Sequence, residues 1–306
     1  MINYAPIALF VYKRLDLTKQ AVESLQRNNL AKVSRLYIFS DAAKSDADAE
    51  QVDKIRQYIS SIDGFAEVTV IAASKNQGCA NSIISGISKI FEQYEKIIVV
   101  EDDLIVTPNF LDYLNSALDY YAGTNIFSIC GYGFALHFAE NDNIDVYCIP
   151  RGCCWGWATW KECWKKVDWS VSDYSVFKND RVAQKKFNLG GPDLSRMLGH
   201  QMKVKTDAWD IRLWYAQSKL GMLTVYPKIS KVDHIGWGPL STHCKNNLNF
   251  KITLDDTNKT TFNFSDKIEI NRDLLNQFTY YFSIPYRIKN RLRNYISRFF
   301  TSLRHT

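Results

Sequence analysis

The features that this sequence of 306 residues lacks already narrow its function. No glycine occurs before Gly64. A glycine-rich dinucleotide turn or a phosphate-binding P-loop after a first strand is therefore excluded, because both need glycine where the backbone meets the phosphates. If the protein binds a phosphorylated ligand, it holds the phosphates in another way.

The cysteines lack any regular spacing. Seven of them are scattered between Cys79 and Cys244, and no Cys-x-x-Cys pair occurs. This pattern excludes a zinc knuckle and a disulfide framework and is typical of a reducing compartment. Long apolar runs are missing as well, since the run from Ala5 to Tyr12 is too short to span a bilayer and lacks the features of a secretory signal. We therefore expect a cytoplasmic protein.

Acidic residues are missing from the C-terminal segment that follows Asp273. Six basic residues lie there, and they equal the whole excess of 38 basic over 32 acidic residues that gives the net charge of +6. They are Arg287, Lys289, Arg291, Arg293, Arg298 and Arg304. Because residues 1–273 are formally neutral, we expect no nucleic-acid binding by the main fold.

The first half of the chain alternates between short apolar runs and stretches with helical spacing. The apolar runs cover residues 7–12, 36–40, 68–73 and 97–100. Runs that are apolar on both faces and are joined by helices predict an α/β fold with a mostly parallel sheet flanked by helices. Ligands of such sheets bind at the carboxyl ends of the strands, so the polar residues after each run are candidate site residues.

Three consecutive carboxylates, Glu101, Asp102 and Asp103, follow the fourth run directly. Three negative charges at the end of a buried strand are costly without a cation. Carboxylate oxygens suit Mg²⁺ or Mn²⁺, whose remaining ligands can be diphosphate oxygens and water. A solvated acidic turn is the alternative for such a triplet, and the apolar strand before it favours the metal.

The segment Val99-Val100-Glu101-Asp102-Asp103-Leu104, followed by Val106, Pro108 and Phe110, resembles the D-x-D metal-binding segment of GT-A-fold glycosyltransferases. The resemblance is to N-acetylglucosaminyltransferase I and to bacterial surface-polysaccharide glycosyltransferases. It implies a GT-A-like, Rossmann-like fold in which Asp103 binds the metal and Glu101 and Asp102 contact the nucleotide-sugar donor.

Three more positions resemble the same family in their order and spacing. The resemblance implies that Arg14 approaches the nucleotide, that Asp41 reads uracil, and that Asn76 contacts the donor in an N-x-G step after the third strand. Taken alone, Arg14 and Asp41 are equally well explained as helix-cap residues, and the Asn76 segment as an ordinary turn before a helix.

Tryptophan is concentrated in the second half, from about residue 145, where the sequence is irregular. We expect most of these side chains in the core, with one or two, such as Trp155 or Trp209, free to stack on a sugar. The family resemblance implies that a helix starting near Asp207 carries the catalytic base of an inverting enzyme. We assign this role to Asp210, although both aspartates also suit the first turn of a helix.

A loop with two glycines, Gly236 and Gly238, follows a predicted short strand at residues 223–226. It resembles the family's loop that closes over the donor, and the resemblance implies a histidine that contacts the metal or the diphosphate. This chain has one residue more than the family pattern, so His234 and His243 are both candidates, and we prefer His243. A loop histidine without such a role is the alternative.

An apolar stripe accompanies the basic residues near the C-terminus. It consists of Ile288, Leu292, Ile296, Phe299 and Leu303. Such a pattern is typical of an amphipathic helix at the interface of an anionic bilayer, and a helix packed on the domain is the alternative. We therefore expect a nucleotide-sugar-binding half (residues 1–125), an acceptor-binding and catalytic half (126–270) and a membrane-associating tail (271–306) that docks on the inner face of the plasma membrane.

These patterns together predict an inverting, metal-dependent glycosyltransferase that uses a UDP-sugar. Its acceptor would be a hydroxyl of a lipid-linked oligosaccharide or of a surface polysaccharide such as lipopolysaccharide or capsule. Two alternatives stay open: a nucleotidyltransferase that makes nucleotide-sugars, and a non-catalytic protein that binds glycans and membranes. The first usually has an N-terminal glycine-rich phosphate loop, which this sequence lacks.

Overall fold

The computed structural model describes residues 4–140, 142–236, 252–290 and 292. Its strands are β1 Ile7–Val11, β2 Arg35–Ser40, β3 Glu67–Ala72, β4 Lys96–Glu101, β5 Leu104–Val106, β6 Ile126–Cys130, β7 Val146–Ile149, β8 Trp157–Trp160, β9 Leu223–Pro227 and β10 Val232–His234. Its helices are α1 Leu15–Gln26, α2 Asp46–Ile59, α3 Gly78–Ile90, α4 Phe110–Tyr120, α5 Lys161–Trp164, α6 Tyr174–Phe177, α7 Arg181–Phe187, α8 Leu194–Met202, α9 Asp210–Leu220 and α10 Arg272–Tyr280. Short 3-10 turns cover Ala31–Val33 and Asn188–Gly190, and residues 284–290 are also helical.

A large sheet runs through the described ranges in the order β3-β2-β1-β4-β8-β6-β9-β7. Six of its eight strands run in one direction, while β7 and β8 run in the other. The predicted α/β class with a mostly parallel sheet is therefore confirmed. The strands predicted at residues 7–12, 36–40, 68–73 and 97–100 are β1, β2, β3 and β4.

The parallel strands end at nearly the same level, which places the residues after them at one edge of the sheet. Phe10 of β1 lies opposite Phe39 of β2 and Glu101 of β4. Arg14, Asp41 and the acidic triplet therefore follow three adjacent strand ends. Helix α3 packs close to this edge, since a Cβ atom on Gly86 would lie 2.7 Å from the ring of Phe10.

The second half is more regular than its sequence pattern suggests. Strands β6, β7, β8 and β9 extend the sheet, and β8 joins the two halves by pairing with both β4 and β6. The predicted strand at residues 223–226 is β9, and the helix predicted to start near Asp207 is α9. Most of the tryptophans are core residues, as expected; Trp157, for example, is 1% exposed.

A second, two-stranded sheet lies beside the edge that carries the acidic triplet. It is formed by the antiparallel pairing of β5 with β10, in which His234 lies opposite Leu104. Because β5 begins immediately after Asp103, this pairing brings the segment around His234 onto the acidic triplet.

The first part of the predicted tail packs on the domain. Phe278 is fully buried, and the hydroxyl of Tyr281 donates a hydrogen bond to the carbonyl of Ala135 at 2.8 Å. Arg287 forms an ion pair with Asp193 at 3.1 Å. Beyond residue 292 the predicted stripe lies outside the described residues. None of the helices in the described ranges is long and apolar enough to cross a membrane.

Candidate functional site

The acidic triplet forms the turn between β4 and β5. Asp102 is 4% exposed, whereas Glu101 and Asp103 are partly exposed. Arg14, at the N-terminus of α1, forms an ion pair with Asp102 and a second one with Asp103 at 3.0 Å. The structure thus brings together four residues that the sequence placed at the donor site, and Arg14 supplies the positive charge.

One arginine does not balance these carboxylates. Burial raises the pKa of Asp102 to about 6, with Asp103 adding to the rise and Arg14 opposing it. Burial also raises the pKa of Glu101, and the negative charges of Asp103, Asp102 and Asp210 raise it further. These shifts show that the ionised carboxylates are destabilised in this site, and an additional cation would stabilise them.

The segment after β10 covers the triplet from the other side. The N–H of Ile235 donates to the carbonyl of Asp103 at 2.9 Å, and Nε2 of His234 lies 3.7 Å from Oδ2 of Asp103. A Cβ atom on Gly236 would lie 2.1 Å from the same carboxylate oxygen. No side chain fits at position 236 while this loop conformation is kept.

His234 has the chemistry of a metal ligand. It is 7% exposed, and burial lowers its pKa, which favours the neutral imidazole that binds metals. Its ring packs against Trp155 with centroids 5.0 Å apart. His243, the histidine preferred from the sequence, lies outside the described residues.

The described residues fit a divalent cation that shares a diphosphate. They contain no group of three or more His, Cys, Asp or Glu side chains that could hold a metal alone. A cation bound to phosphates needs only one or two protein ligands, and Asp103 Oδ2 with His234 Nε2 supplies two facing atoms. In addition, Oδ2 of Asp102 is buried and accepts no hydrogen bond from the described residues.

Asp41 lies beside this site, but the protein itself uses its carboxylate. The oxygens accept hydrogen bonds from the backbone N–H groups of Ala42, Gln77 and Gly78 at 2.8 to 3.0 Å and from the side chain of Asn76 at 3.1 Å. Asn76 also donates to the carbonyl of Ala42 at 2.7 Å. Asp41 and Asn76 therefore connect the end of β2 to the start of α3.

Asp210, the predicted base, is the first residue of α9 and faces the acidic triplet. Its charge contributes to the raised pKa of Glu101, and its Oδ1 accepts a hydrogen bond from the N–H of Ile211 at 2.8 Å. Trp209 beside it is 4% exposed and stacks on Trp157 at 5.6 Å, so it belongs to the core. Of the two tryptophans considered for ligand stacking, Trp155 is the one that lies next to His234.

Sequence reasoning missed a buried ion pair that holds the covering segment. Lys231 and Asp255, which are 3% and 4% exposed, form this pair between β10 and the chain that follows the undescribed residues 237–251. Lys231 also lies over the ring of Phe262 at 5.4 Å. No local pattern identifies such a pair, because its two residues are 24 positions apart.

Comparison with known proteins finds only distant similarities. No protein-family model and no curated protein matches this chain. Among solved structures, it resembles the mannosyltransferase PcManGT from Pyrobaculum calidifontis, in a complex with GDP-Man and Mn²⁺, with a TM-score of 0.35 and 11% identity over 52% of this chain and 46% of that one. Residues 1–349 of TarS from S. aureus give a TM-score of 0.38 and 9% identity over 74% of this chain and 59% of that one.

A cytidylyltransferase from Leptospira borgpetersenii is similar to the same degree, with a TM-score of 0.32 and 12% identity over 53% of this chain and 62% of that one. The chain thus spans between 46% and 62% of the length of these three structures. With all TM-scores below 0.5, none of these similarities establishes a family or an activity.

Proposed function

We propose that this protein is a metal-dependent glycosyltransferase that uses a nucleotide-sugar, with a UDP-sugar as the expected donor. The observation that carries the proposal is the acidic triplet itself. It lies where the parallel strands end, it exceeds the charge of Arg14, and the segment of His234 and Gly236 closes over it. A divalent cation bound to a diphosphate would neutralise this arrangement.

Asp103 and His234 would hold the cation, and Arg14 would turn from the carboxylates to the phosphates. When bound, the cation would stabilise the negative charge of the departing nucleoside diphosphate. Glu101 and Asp102 would contact the donor on the protein side of the metal. Asp41 and Asn76 would border the nucleobase and would act mainly by fixing the start of α3.

Asp210 would act as the general base of an inverting reaction. It would accept the proton of the acceptor hydroxyl while the acceptor oxygen forms its bond to the anomeric carbon and the bond from sugar to phosphate breaks. The closeness of Asp210 to the triplet supports this role, since its charge is one of those that raise the pKa of Glu101.

A membrane location fits the exposed face of the helix that begins at residue 284, which we call the C-terminal helix. Ile284, Ile288 and Leu292 are 65%, 54% and 59% exposed and follow one another at a spacing of four residues. Such a face suits the interface of a bilayer, and the basic residues of the tail suit anionic lipid on the cytoplasmic leaflet. We infer that the acceptor is lipid-linked or is a polysaccharide assembled at that membrane.

The function is tested on the wild-type protein with a panel of nucleotide-sugars, with and without Mn²⁺. We expect one UDP-sugar to release UDP only when Mn²⁺ is present. The same donor should raise the thermal midpoint, because a ligand at 100 times its Kd adds about 2.7 kcal/mol of stability.

The panel also separates the two alternatives. Pyrophosphate formed from a nucleoside triphosphate and a sugar phosphate would identify a nucleotidyltransferase. Binding of glycans and membranes without turnover of any nucleotide-sugar would identify a non-catalytic protein. Either result would overturn the proposed activity.

A further inference from the structure

A second surface next to the C-terminal helix combines basic and apolar side chains. It belongs to the helical segment 174–205, which contains seven Lys or Arg residues and two Asp residues and has a formal charge of +5. One of those two carboxylates, Asp193, is buried in the ion pair with Arg151 at 2.8 Å. The exposed charged side chains of the segment are therefore almost all basic.

Helix α7 presents these side chains on one face. Four exposed residues of α7 lie on one side of a helix of 3.6 residues per turn, namely Arg181, Val182, Lys185 and Lys186. Leu189, in the 3-10 turn that follows α7, is exposed as well. Phe187, on the opposite side, is 2% exposed and anchors the helix. We call the five exposed residues the α7 face.

Within the part of the chain that the structure describes, the apolar members of the α7 face stay exposed. Val182 is 80% exposed and Leu189 is 48% exposed. The helix itself is well fixed, since the side chain of Asp180 accepts hydrogen bonds from the N–H groups of Val182 and Ala183 at 2.9 and 3.0 Å. Val182 is thus exposed among basic side chains on a capped helix, and Leu189 is exposed in the turn that follows this helix.

The α7 face adjoins the C-terminal helix. A Cβ atom on Gly191 would lie 3.6 Å from Cβ of Phe282. Leu189 and Ile284 each lie two residues from this contact, and both are exposed. The ion pair of Arg287 with Asp193 fixes the two elements to each other at the same place.

We propose that the α7 face is a second contact surface for an anionic lipid bilayer, joined to that of the C-terminal helix. Lysine and arginine attract anionic headgroups, and the two apolar side chains enter the boundary of the acyl chains. The segment leads through Lys203 and Lys205 directly to Asp207 and Asp210. Contact with the bilayer on this side holds the proposed acceptor site close to the membrane surface, where a lipid-linked acceptor is found.

This inference rests on the membrane part of the proposed function, and its test measures vesicle binding separately from sugar transfer. The full chain is sedimented with phosphatidylcholine vesicles, with or without phosphatidylglycerol. We expect binding only to the anionic vesicles. The variant K185E/K186E should bind them at least tenfold more weakly.

The matched control is K32E/K89E, which reverses two exposed lysines in the half of the chain that holds β1 to β4. It has the same net charge as K185E/K186E and should bind vesicles nearly as the wild type does. Equal binding by the two double variants would overturn the α7 face as a contact surface. If only I284S/I288S loses binding, the C-terminal helix alone binds the membrane.

A third variant separates a bilayer from a soluble polyanion. V182S/L189S should bind vesicles several times more weakly and dextran sulfate as tightly as the wild type. Equal binding of this variant to vesicles would overturn the bilayer as the partner. Mn²⁺-dependent UDP release in solution should be unchanged in all these variants, so failure of vesicle binding and failure of the proposed activity are seen in different measurements.

Discussion

The ends of β2 and β4, on either side of β1, carry buried carboxylates that differ in their hydrogen-bond and charge partners. Asp41, after β2, is 6% exposed and receives hydrogen bonds from backbone and side-chain N–H groups at the start of α3. Asp102, after β4, is 4% exposed, but its charge partner is Arg14, which it shares with Asp103. The protein supplies hydrogen-bond donors to the oxygens of Asp41. Asp102 and Asp103, by contrast, share one positive charge, that of Arg14.

The difference shows which carboxylates are available for a ligand. Several N–H donors of the protein bind the oxygens of Asp41, so this side chain serves the structure. Burial, together with the neighbouring carboxylates, raises the pKa of Asp102 and of Glu101, so a bound cation would favour their ionised forms. Four predictions test this contrast.

The largest effect is expected for Asp103→Asn. Removing the charged ligand should lower Mn²⁺-dependent turnover by about a thousandfold, on the order of 4 kcal/mol of transition-state stabilisation. Unfolding in urea should show unchanged or slightly increased stability, because one repelling charge is gone. The control D119N removes an exposed carboxylate that pairs with Lys96 and should keep full activity. Full activity of D103N would show that the mechanism does not depend on a metal bound by Asp103.

Lys231→Met should have the next largest effect, since it leaves Asp255 buried without its cation. Loss of one partner of a buried ion pair costs about 3 to 5 kcal/mol of unfolding free energy. The matched control is R151M, which breaks the buried pair of Arg151 with Asp193. Both should lose stability, but only K231M should speed amide hydrogen exchange in residues 232–235, which cover the triplet. Equal exchange there in both variants would show that Lys231 does not hold this segment.

Asp41→Ala should cost about 2 to 3 kcal/mol of unfolding free energy, because the backbone N–H groups of Gln77 and Gly78 lose their charged acceptor. Urea unfolding measures the loss, and Asp41→Asn should recover part of it by keeping one oxygen acceptor. We expect donor binding to weaken only indirectly, to the extent that the start of α3 becomes disordered. If D41A is as stable as the wild type and loses all donor binding, Asp41 is a ligand contact and the contrast with the triplet is wrong.

The smallest effect concerns pH. The pKa of Asp102 rises from 3.8 to about 6 on folding, so the folded protein binds the proton more readily than the unfolded chain does. The contribution of this group to the unfolding free energy therefore decreases as the pH rises from about 4 to 6 and stays low above that range. The difference in stability between wild type and Asp102→Asn should show this slope in urea titrations at several pH values. Saturating Mn²⁺ with UDP should reduce the slope, and a slope of the opposite sign would show that Arg14 fully compensates the carboxylate.

The strand ends were predictable because burial leaves a local pattern. Each parallel strand is a short apolar run, so β1 to β4 and the residues that follow them could be found from the sequence. The strands β7 and β8 were not predicted, since tryptophans and cysteines obscure the pattern there. The start of α9 was predicted within three residues, and Gly221, with a φ of +67°, ends the helix as its sequence suggests.

The site was predictable in part, from the polar residues after the apolar runs and from the resemblance to GT-A-fold glycosyltransferases. The sequence identified Arg14, Glu101, Asp102, Asp103 and Asp210, and the structure brings these residues together; their roles remain predictions. It gave no indication that hydrogen bonds from the start of α3 would occupy the Asp41 carboxylate, and it left both His234 and His243 as candidates for the histidine near Asp103. Those contacts depend on how α3 and β10 pack, and both elements come from other parts of the chain.

The sequence by itself determined the class of fold, the edge of the sheet that carries the site and the sign of the charge there. These follow from patterns within a few residues, because a buried strand must be apolar and the residues after it are exposed at one edge. Only the tertiary structure decided which carboxylate is compensated, that His234 lies beside Asp103 and which helix faces lie next to each other. These outcomes depend on contacts between residues that are far apart in the chain, such as Lys231 with Asp255 and Asp193 with Arg287, and such contacts form only when the whole domain packs.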